Sequence, residues 1–222
     1  MRPAARGRGG LPGRPRAASA VSRGVAVTTA LFGGSFNPPH AAHQMACLYV
    51  LETHAIDRIL MVPVYRHAFD KQLCDFEHRF EMCRLAAAAF APGRVEVSRV
   101  EQELGGESRT LLTLERLEQT MPGEAFRLVV GADILGEAHK WYRWDEVTRR
   151  APPIVLGRRG HPALPGAELE LPEISSTEIR ARLGRGDDVA QLVPRSVADY
   201  IRVHQLYTSG AAPLAPLPEG AP

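Results

Sequence analysis

Residues 25–43 read VAVTTALFGGSFNPPHAAH, and this stretch decides the fold. Its first part, 25–32, is almost unbroken in apolar residues, which predicts a strand that is buried on both faces. Two glycines follow the strand, and two prolines then lead into a helix that we predict over 40–54. A buried strand that turns directly into a helix is typical of the first unit of a parallel α/β sheet.

The rest of the chain repeats this alternation. Further buried strands are predicted at 58–64, 94–100, 126–132 and 152–158, with a short one at 169–173. Helices are predicted at 76–90, 108–120 and 137–150, and two more at about 176–184 and 194–206. Right-handed crossovers between such strands predict an α/β fold, a Rossmann-like, doubly wound parallel sheet with C-terminal helices. Ligands of such sheets bind at the carboxyl ends of the strands, so the motifs just after strands are the candidate sites.

The first candidate site is the loop that follows the first predicted strand. Gly33 and Gly34 allow the backbone to approach a ligand closely. His40 and His43 lie three residues apart on one face of the first helical turn, where backbone amides and imidazoles together make an anion site. An H-x-x-H pair alone is more often a surface or core feature, but its place after a Gly-Gly turn favours function. A zinc site would need further Cys or His ligands, and none is suitably placed, so we predict no protein-bound metal.

The second candidate site is ISSTEIR, residues 174–180. Ser175 with Glu178 three residues later is a capping box, which explains the start of a helix by itself. It does not explain three consecutive hydroxyl residues followed by Arg180 one turn into the helix. Free amides, hydroxyls and a cation at one helix start are what phosphate groups require.

Charge and composition set the domain limits. The 222 residues carry a formal charge of +2, but residues 1–28 hold six arginines and no acid. Residues 29–208 hold 21 basic and 24 acidic residues, a charge of −3. We predict one folded domain at 29–208, with a disordered Arg/Gly/Pro-rich extension at 1–28 and a disordered tail at 209–222. The extension has several interpretations: a transit peptide, an arm for nucleic acid, or, as we favour, a dispensable extension or a start codon placed too early.

The cysteines and the hydropathy pattern bear on the compartment. Cys47, Cys74 and Cys83 are an odd number without a CxxC motif, which argues against a disulfide framework and fits a reducing compartment. No stretch approaches about 18 consecutive apolar residues, so no membrane span is predicted. We therefore expect a cytoplasmic protein.

The two candidate sites, in this order, resemble those of the nucleotidyltransferase superfamily that carries an H-x-G-H signature. GGSFNPPHAAH resembles the GG-[ST]-F-D-P-x-H-x-G-H opening of bacterial nicotinate-mononucleotide adenylyltransferases. ISSTEIR and LVPRSVADYIRVHQLY (192–207) are similar to that family's ISST-x-IR and its closing segment. VVGADILGEAHKWYRWDEV (129–147) and VLGRRGHP (155–162) resemble its G-x-D…W segment and its R-R-x-G-x-P-like turn. The resemblance covers about residues 29–207.

The resemblance implies transfer of AMP from ATP to nicotinate mononucleotide, giving deamido-NAD and pyrophosphate in NAD biosynthesis. It implies a Mg²⁺ ion that is carried with ATP, no membrane or nucleic-acid partner, and leaves a homo-oligomer open. The catalytic residues it implies are His40, His43 and Arg180. Those implied for ATP and its phosphates are Gly33, Gly34, Ser35, Phe36, Ser175, Ser176 and Thr177. Those implied for the mononucleotide and its ribose are Lys71, Thr110, Gly131, Asp133 and Trp141.

Several of these residues have a competing interpretation. Asp133 could equally be a helix N-cap, and Lys71 a solvated loop residue. His67 and Lys71 stand in a loop, 63–79, that lacks the family's P-P-H-K run. Arg79 matches a family arginine, with a surface charge as the alternative. Next to the expected stacking residue Trp141, we interpret Tyr142 and Trp144 as packing residues.

Three positions depart from the family pattern. Asn37 stands where the family usually has Asp, which removes a charge near the phosphates. Ala42 replaces the usual Gly and adds a methyl group close to the nucleotide. Leu112 stands where the family tends to have Asp, which weakens the mononucleotide contacts that the resemblance implies.

Two alternative functions follow. The first is nucleotidyl transfer to another phosphate monoester, such as nicotinamide mononucleotide or phosphopantetheine, because the acceptor loop is the least family-like part. The second is a non-catalytic, nucleotide-binding regulator whose Arg-rich arm binds nucleic acid in a salt-sensitive manner. The presence of His40, His43 and Arg180 argues against the second.

Overall fold

The computed structural model describes residues 27–66, 73–132, 140–158 and 170–208. The described residues exclude the N-terminal segment 1–26 and the tail 209–222. Disorder in these two segments therefore stays a prediction. His67 and Lys71 in the acceptor loop and Asp133 after the fourth strand also lie outside the described residues.

A six-stranded, all-parallel sheet forms the centre of the molecule. Its strand order is β3-β2-β1-β4-β5-β6. The strands are β1 (Thr28–Gly34), β2 (Arg58–Pro63), β3 (Val95–Val97), β4 (Ala125–Gly131), β5 (Pro153–Arg158) and β6 (Glu170–Leu171). The predicted α/β, Rossmann-like parallel sheet is confirmed.

Helices occupy the connections between these strands. They are α1 (Ala41–Thr53), α2 (Phe76–Ala87), α3 (Val100–Leu104), α4 (Thr110–Thr120), α5 (Trp144–Arg150), α6 (Ser176–Arg185) and α7 (Arg195–Val203). None of the helices in the described ranges is long and apolar enough to cross a bilayer.

Two predicted boundaries were wrong: the helix predicted at 137–150 begins at Trp144, and the third strand is shorter than predicted. The third strand was predicted to run to residue 100, but β3 ends at Val97 and the short helix α3 begins at Val100. β3 pairs with a single neighbour, β2, over three residues, so the sheet does little to extend it. Gly105, with a φ of 70°, ends α3 in a left-handed conformation that glycine adopts at no steric cost.

The strands are buried on both faces, which explains their unbroken apolar runs. Ala30 of β1 faces a cluster with residues of α1 and α2, whereas its neighbour Leu31 faces a second cluster with residues of α3, α4 and α5. Ile59 and Leu60 divide in the same way, because successive side chains of a strand point to opposite faces. The sheet is therefore the middle of three layers.

A third core cluster attaches the C-terminal helices to the outside of α2. Ile179 of α6, and Val197 and Ile201 of α7, pack with Met82 and Ala86 of α2. This packing brings the start of α6 to the end of β1, although the two segments are far apart in the sequence.

The chain reverses its direction of winding between β1 and β4. β2 and β3 lie on one side of β1, and β4 to β6 lie on the other. Gly34 and Gly131, the last residues of β1 and β4, end on the same edge of the sheet because the two strands are adjacent and parallel. Open α/β sheets bind their ligands at such a reversal, and both candidate motifs meet at this point.

Candidate active site

Two stacked imidazoles occupy the start of α1. The rings of His40 and His43 lie 3.7 Å apart between centroids and 25° from parallel. His40 is almost fully buried, and His43 is half-buried. The backbone N–H of His40 donates to Nδ1 of His43 at 3.1 Å, so the neutral ring of His43 carries its proton on Nε2. His43 can therefore offer an Nε2–H donor to an anion without giving up this bond.

The buried ring of Phe36 packs against this imidazole pair. Its ring packs edge-on to His43 at 4.9 Å and to Phe32 at 5.5 Å, and it is 2% exposed. A Cβ atom at Gly34 would lie 3.1 Å from the Phe36 ring. Gly34 thus makes room for a buried side chain, while the space above Gly33 is open. Phe36, expected among the ATP-binding residues, is buried and packs against His43.

The backbone amides at the start of α1 are less available than the sequence predicted. The N–H of Ala41 donates to the carbonyl oxygen of Leu192 at 2.9 Å, and the N–H of His43 donates to His40 at 2.9 Å. The imidazoles, rather than these amides, are the donors that the segment can direct at an anion. The contact with Leu192 also fixes the C-terminal part of the chain against α1.

The start of α6 docks directly onto the loop after β1. Ser176 Oγ donates to the carbonyl oxygen of Pro38 at 2.9 Å, and Arg180 Nη1 donates to the carbonyl oxygen of Asn37 at 2.8 Å. Arg180 Nη2 also donates to Thr177 Oγ1 at 3.3 Å. The two sequence motifs are thus brought together, with a half-buried guanidinium next to the imidazole pair.

Ser175 has the predicted capping role. Its side chain accepts a hydrogen bond from the N–H of Thr177 at 3.2 Å. The reciprocal arm of the predicted capping box is replaced by another contact, because Glu178 accepts a bond from Arg182 Nε at 2.9 Å. Ser175 and Ser176 therefore both have structural bonds at the helix start.

Asn37 connects its own loop to two other segments by hydrogen bonds. It is 2% exposed, and its Oδ1 accepts from the N–H of Cys74 at 3.2 Å and from the hydroxyl of Tyr207 at 2.8 Å. Both contacts need an oxygen acceptor, which Asn and Asp supply equally. Burial raises the pKa of Tyr207 above its usual value, so this phenol stays protonated and donates.

Arg79 lies beneath the same loop and is 1% exposed, so the surface interpretation of this residue was wrong. Its Nε donates to the carbonyl oxygen of Cys74 at 2.8 Å, and its Nη1 donates to that of Ser35 at 3.1 Å. Burial lowers the pKa of Arg79, yet a guanidinium remains charged at any ordinary pH. Arg79 thus joins the end of the acceptor loop to the loop that holds the imidazoles.

A small cavity opens beside the imidazoles. It has a volume of about 160 Å³, and its lining includes His40, His43, Ala42, Gly131 and Gly157. Ala42, 6% exposed, is among the residues that line this space. The cavity could hold only part of a nucleotide, because ligand pockets are typically of about 300–1,000 Å³.

The residues expected to bind the mononucleotide do not all lie at this cavity. Gly131 lines it, whereas Thr110 begins α4 and Trp141 packs on the second core cluster, across the sheet. Trp141 meets Trp144 edge-on at 5.2 Å. Tyr142 is 47% exposed, so its interpretation as a packing residue was wrong, and the guanidinium of Arg109 lies 4.9 Å from its ring. Leu112, also exposed, faces solvent.

Sequence reasoning missed a buried carboxylate between β2 and α4. Glu101 is 8% exposed and accepts hydrogen bonds from the N–H of Tyr65 at 3.0 Å, from Ser108 Oγ, and from Thr113 Oγ1 at 3.3 Å. Burial raises its pKa, and these bonds act in the opposite direction. Glu101 falls within the charged stretch RVEQEL, and nothing in that pattern distinguishes it from its solvated neighbours.

The side chains of the site bear on how a metal ion could be held. In the described ranges no group of three or more His, Cys, Asp or Glu residues could hold a metal ion. The groups next to the imidazole pair are donors and cations, Arg180 and Arg79, rather than carboxylates. They fit a cation that arrives with a polyphosphate and takes its ligands from phosphate oxygens and water.

Comparison with known proteins identifies the family. Residues 31–182 match the family model described as cytidylyltransferase-like. The chain belongs to the cytidylyltransferase-like family. This cytidylyltransferase-like chain is 53% identical over 181 residues to a protein of Anaeromyxobacter dehalogenans (strain 2CP-C) named probable nicotinate-nucleotide adenylyltransferase, with 80% of this chain and 95% of that protein covered. Proteins of the same name from Myxococcus xanthus and Thermus thermophilus are 41% and 37% identical, over 82% and 80% of this chain and 95% and 97% of theirs.

Solved structures share the fold of this cytidylyltransferase-like chain. Plasmodium falciparum nicotinic acid mononucleotide adenylyltransferase, complexed with NaAD, superimposes with a TM-score of 0.69 at 20% identity, covering 82% of this chain and 97% of that one. A putative nicotinate-nucleotide adenylyltransferase from Vibrio parahaemolyticus gives a TM-score of 0.63 at 22% identity, covering 83% and 97%. At these identities the likeness concerns the fold.

Proposed function

We propose that this protein transfers AMP from ATP to nicotinate mononucleotide, forming deamido-NAD and pyrophosphate. The observation that carries the proposal is the contact between the two motifs: Ser176 bonds to Pro38 and Arg180 to Asn37, beside stacked imidazoles at the reversal point of the sheet. Relatives with up to 53% identity, named as nicotinate-nucleotide adenylyltransferases, support the choice of substrates.

The reaction requires no covalent intermediate with the protein. A phosphate oxygen of the mononucleotide attacks the α-phosphorus of ATP, the new P–O bond forms, and the bond to the β-phosphate oxygen breaks to release pyrophosphate. Negative charge accumulates on the α-phosphate oxygens and on the leaving pyrophosphate. The protein therefore has to hold the two anions in line and stabilise that charge.

His43, His40 and Arg180 are the groups placed to stabilise this charge. His43 can present its Nε2–H to a phosphate because its Nδ1 accepts the His40 amide. The guanidinium of Arg180 is held at the start of α6, and the hydroxyl of Thr177 is exposed next to it. We assign the imidazoles to the α-phosphate, and Ser175, Ser176, Thr177 and Arg180 to the β- and γ-phosphates.

The adenosine part of ATP fits the cavity bounded by Ala42, Gly131 and Gly157. Because they have no side chains, the glycines let a base approach the backbone closely. Gly33, at the end of β1, and Ser35, just after it, are assigned to ATP as well. Magnesium would enter with ATP and neutralise phosphate charge, with its ligands supplied by phosphate oxygens and water.

We assign the mononucleotide to the opposite face of the sheet, at the same carboxyl edge. Thr110 at the start of α4 and the partly buried ring of Trp141 are the described groups that would meet it. Lys71 and Asp133 complete the proposed acceptor set. The free thiols Cys47, Cys74 and Cys83 support a reducing compartment, which we take to be the cytoplasm.

A comparison of three acceptors tests the proposed function. Purified protein is given ATP and Mg²⁺ with nicotinate mononucleotide, nicotinamide mononucleotide or phosphopantetheine, and the dinucleotide product and pyrophosphate are measured. We expect the highest kcat/KM with nicotinate mononucleotide. The proposal fails if that acceptor gives no dinucleotide above background, or if phosphopantetheine gives a higher kcat/KM. Size-exclusion chromatography with light scattering determines whether the active species is a homo-oligomer.

A further inference from the structure

Glu101 takes no part in the reaction proposed above, although it is one of the few buried charged residues in the described part of the chain. It lies in α3 at the carboxyl edge of the sheet, between the end of β2 and the start of α4. No Lys, Arg or His within the described residues forms an ion pair with it. The positive charge of Arg79 acts on it without a direct ion pair, so its burial is costly unless hydrogen-bond donors surround it, and three do.

The three donors come from two segments, the acceptor loop just after β2 and the stretch that leads into α4. Oε2 accepts from the N–H of Tyr65, in the acceptor loop just after β2, and from Ser108 Oγ, two residues before Thr110. Oε1 accepts from Thr113 Oγ1, one turn into α4. A direct backbone bond, from the N–H of Ser108 to the carbonyl oxygen of Arg66 at 3.0 Å, joins the same two segments.

We propose that Glu101 is a positioning residue for the acceptor mononucleotide, because its buried carboxylate sets the spacing between the acceptor loop at Tyr65 and the segment that presents Thr110. This inference rests on the proposed function, since Thr110 and the acceptor loop are the groups assigned there to the mononucleotide. Glu101 acts through these segments and does not touch the substrate. The ATP side of the site, at the start of α1 and α6, has no bond to it.

The substitutions Glu101→Ala and Glu101→Gln separate this role from a general structural one. Alanine removes both acceptor oxygens. Glutamine keeps one oxygen for Tyr65 and Ser108, and its amide group can donate to the hydroxyl of Thr113. Positioning by hydrogen bonds therefore predicts a large defect in the alanine variant and a near-complete rescue by glutamine.

Steady-state kinetics give the first measurement. We expect Glu101→Ala to raise the KM for nicotinate mononucleotide about tenfold, because that factor corresponds to the loss of one to two net hydrogen bonds. The KM for ATP should stay within about twofold of the wild-type value. Glu101→Gln should lie within about threefold of wild type for both substrates. The control is Glu103→Ala, which removes an exposed carboxylate from the same short helix and should change neither KM.

A defect in folding would give a different pattern. It would lower the active fraction, and hence kcat, without changing the KM for either substrate. Such a pattern overturns the inference, and so does an equal rise in both KM values. If Glu101→Ala does not fold, Ser108→Ala removes a single bond at the same carboxylate and should raise the mononucleotide KM alone, by about threefold.

Amide hydrogen exchange tests the inference independently of the proposed reaction. Glu101→Ala should speed exchange in peptides that cover residues 64–66 and 105–110, and leave the start of α6 at its wild-type rate. If the wild-type protein makes no dinucleotide, the proposed function fails and the exchange result still decides whether Glu101 orders these two segments. Unchanged exchange there overturns the positioning role.

Discussion

Ser176 Oγ donates a hydrogen bond to the carbonyl oxygen of Pro38 at 2.9 Å, across 138 residues of sequence. The bond joins the helix start that we assign to the β- and γ-phosphates to the loop that ends in the imidazole pair. The site is thus composed of two segments whose separation depends on a few contacts between α6 and this loop. The packing of α6 and α7 on α2 makes those contacts possible.

We expect Ser176→Ala to weaken ATP binding more than it weakens the fold. Loss of one hydroxyl-to-carbonyl bond costs about 1 kcal/mol of unfolding free energy, but it also frees α6 to move relative to Pro38. The KM for ATP should rise about fivefold or more, with the KM for the mononucleotide unchanged. Urea unfolding and steady-state kinetics measure the two effects.

The matched control is Ser196→Ala. Ser196 Oγ makes the same type of bond, to the carbonyl oxygen of Leu85 at 3.3 Å, away from the site. It should lose a similar or smaller free energy of unfolding without any change in KM. Equal kinetic effects in the two variants would contradict the role of Ser176 in joining the motifs.

His43 has two separable functions, because Nδ1 accepts the His40 amide and Nε2–H can donate to a phosphate. His43→Asn keeps an acceptor near the position of Nδ1 and removes the Nε2 donor. We expect it to fold with near wild-type stability and to lose roughly 100-fold or more in kcat, as is typical when one donor to a developing oxyanion is removed. His43→Ala should lose similar activity and also some stability.

His54→Ala serves as the control, since His54 lies at the C-cap of the same helix, far from the site. It should have the wild-type kcat. A kcat near wild type in His43→Asn would refute the assignment of His43 to the α-phosphate. Circular dichroism melts would show that the loss of activity does not reflect unfolding.

The sequence predicts the fold of this protein well and the supports of its site poorly. The apolar runs predict the first five strands, because the central strands are covered on both faces and their patterns are nearly continuous. The sixth, of two residues, is predicted only as a short strand. The Gly-Gly turn and the hydroxyl-rich helix start mark the two motifs. Arg79, under the first motif, and Glu101, between the acceptor loop and α4, are charged, and a charged residue in sequence indicates a surface. Their burial follows from tertiary hydrogen bonds that no local pattern records.

The departure from the family at Asn37 should be nearly neutral for stability. Oδ1 accepts from Cys74 N–H and from Tyr207 Oη–H, and Asn37→Asp keeps an oxygen for both bonds. The added charge would lie close to the guanidiniums of Arg79 and Arg180, which bond to neighbouring backbone carbonyls. We expect Asn37→Asp to change the free energy of unfolding by less than about 1 kcal/mol.

Asn37→Leu, of similar size, should behave quite differently. It removes the oxygen acceptor of the Cys74 amide and of the Tyr207 hydroxyl, which costs about 2–4 kcal/mol for the two groups. For a domain of this length that loss lowers Tm by roughly 4–16 °C. Thermal melts of the two variants check the difference, and equal Tm values would show that the oxygen acceptor has no structural importance.

A network at the opposite edge of the sheet should govern acid stability without affecting catalysis. Arg58 Nη2 donates to Glu124 at 2.6 Å, and Thr29 Oγ1 donates to the same carboxylate at 2.6 Å. Burial alone would raise the pKa of Glu124, but these hydrogen bonds and the positive charge of Arg58 outweigh it and lower the pKa below 4.5. A lowered pKa means that the native state binds this proton less readily than the unfolded chain does.

The stabilisation from Glu124 is therefore complete above pH 4.5 and is lost as the pH falls through the lowered value. Glu124→Gln should lose about 1–2 kcal/mol of unfolding free energy at pH 7, and the gap to wild type should close as the pH falls from about 5 to 3. Urea unfolding over this pH range measures the gap. Glu96→Gln, which removes an exposed partner of the same Arg58, should cost less than about 1 kcal/mol. A gap for Glu124→Gln that is independent of pH would contradict the argument.

Arg79 should be irreplaceable by lysine, because two carbonyl oxygens in different loops need donors at two different nitrogens. Nε meets Cys74 and Nη1 meets Ser35, and a lysine has one nitrogen on a flexible chain. We expect both Arg79→Lys and Arg79→Met to be destabilised, by about 2–4 kcal/mol, since each leaves at least one buried carbonyl unpaired or a buried charge poorly solvated. In the folded fraction of either variant, kcat should fall because the loop of the imidazole pair loses its hydrogen bond at Ser35.

The control is Arg84→Lys, at an exposed arginine further along the same helix. This variant should match the wild type in both stability and kcat. A fully active and stable Arg79→Lys variant would show that the charge, and not the geometry of the guanidinium, holds these two loops together.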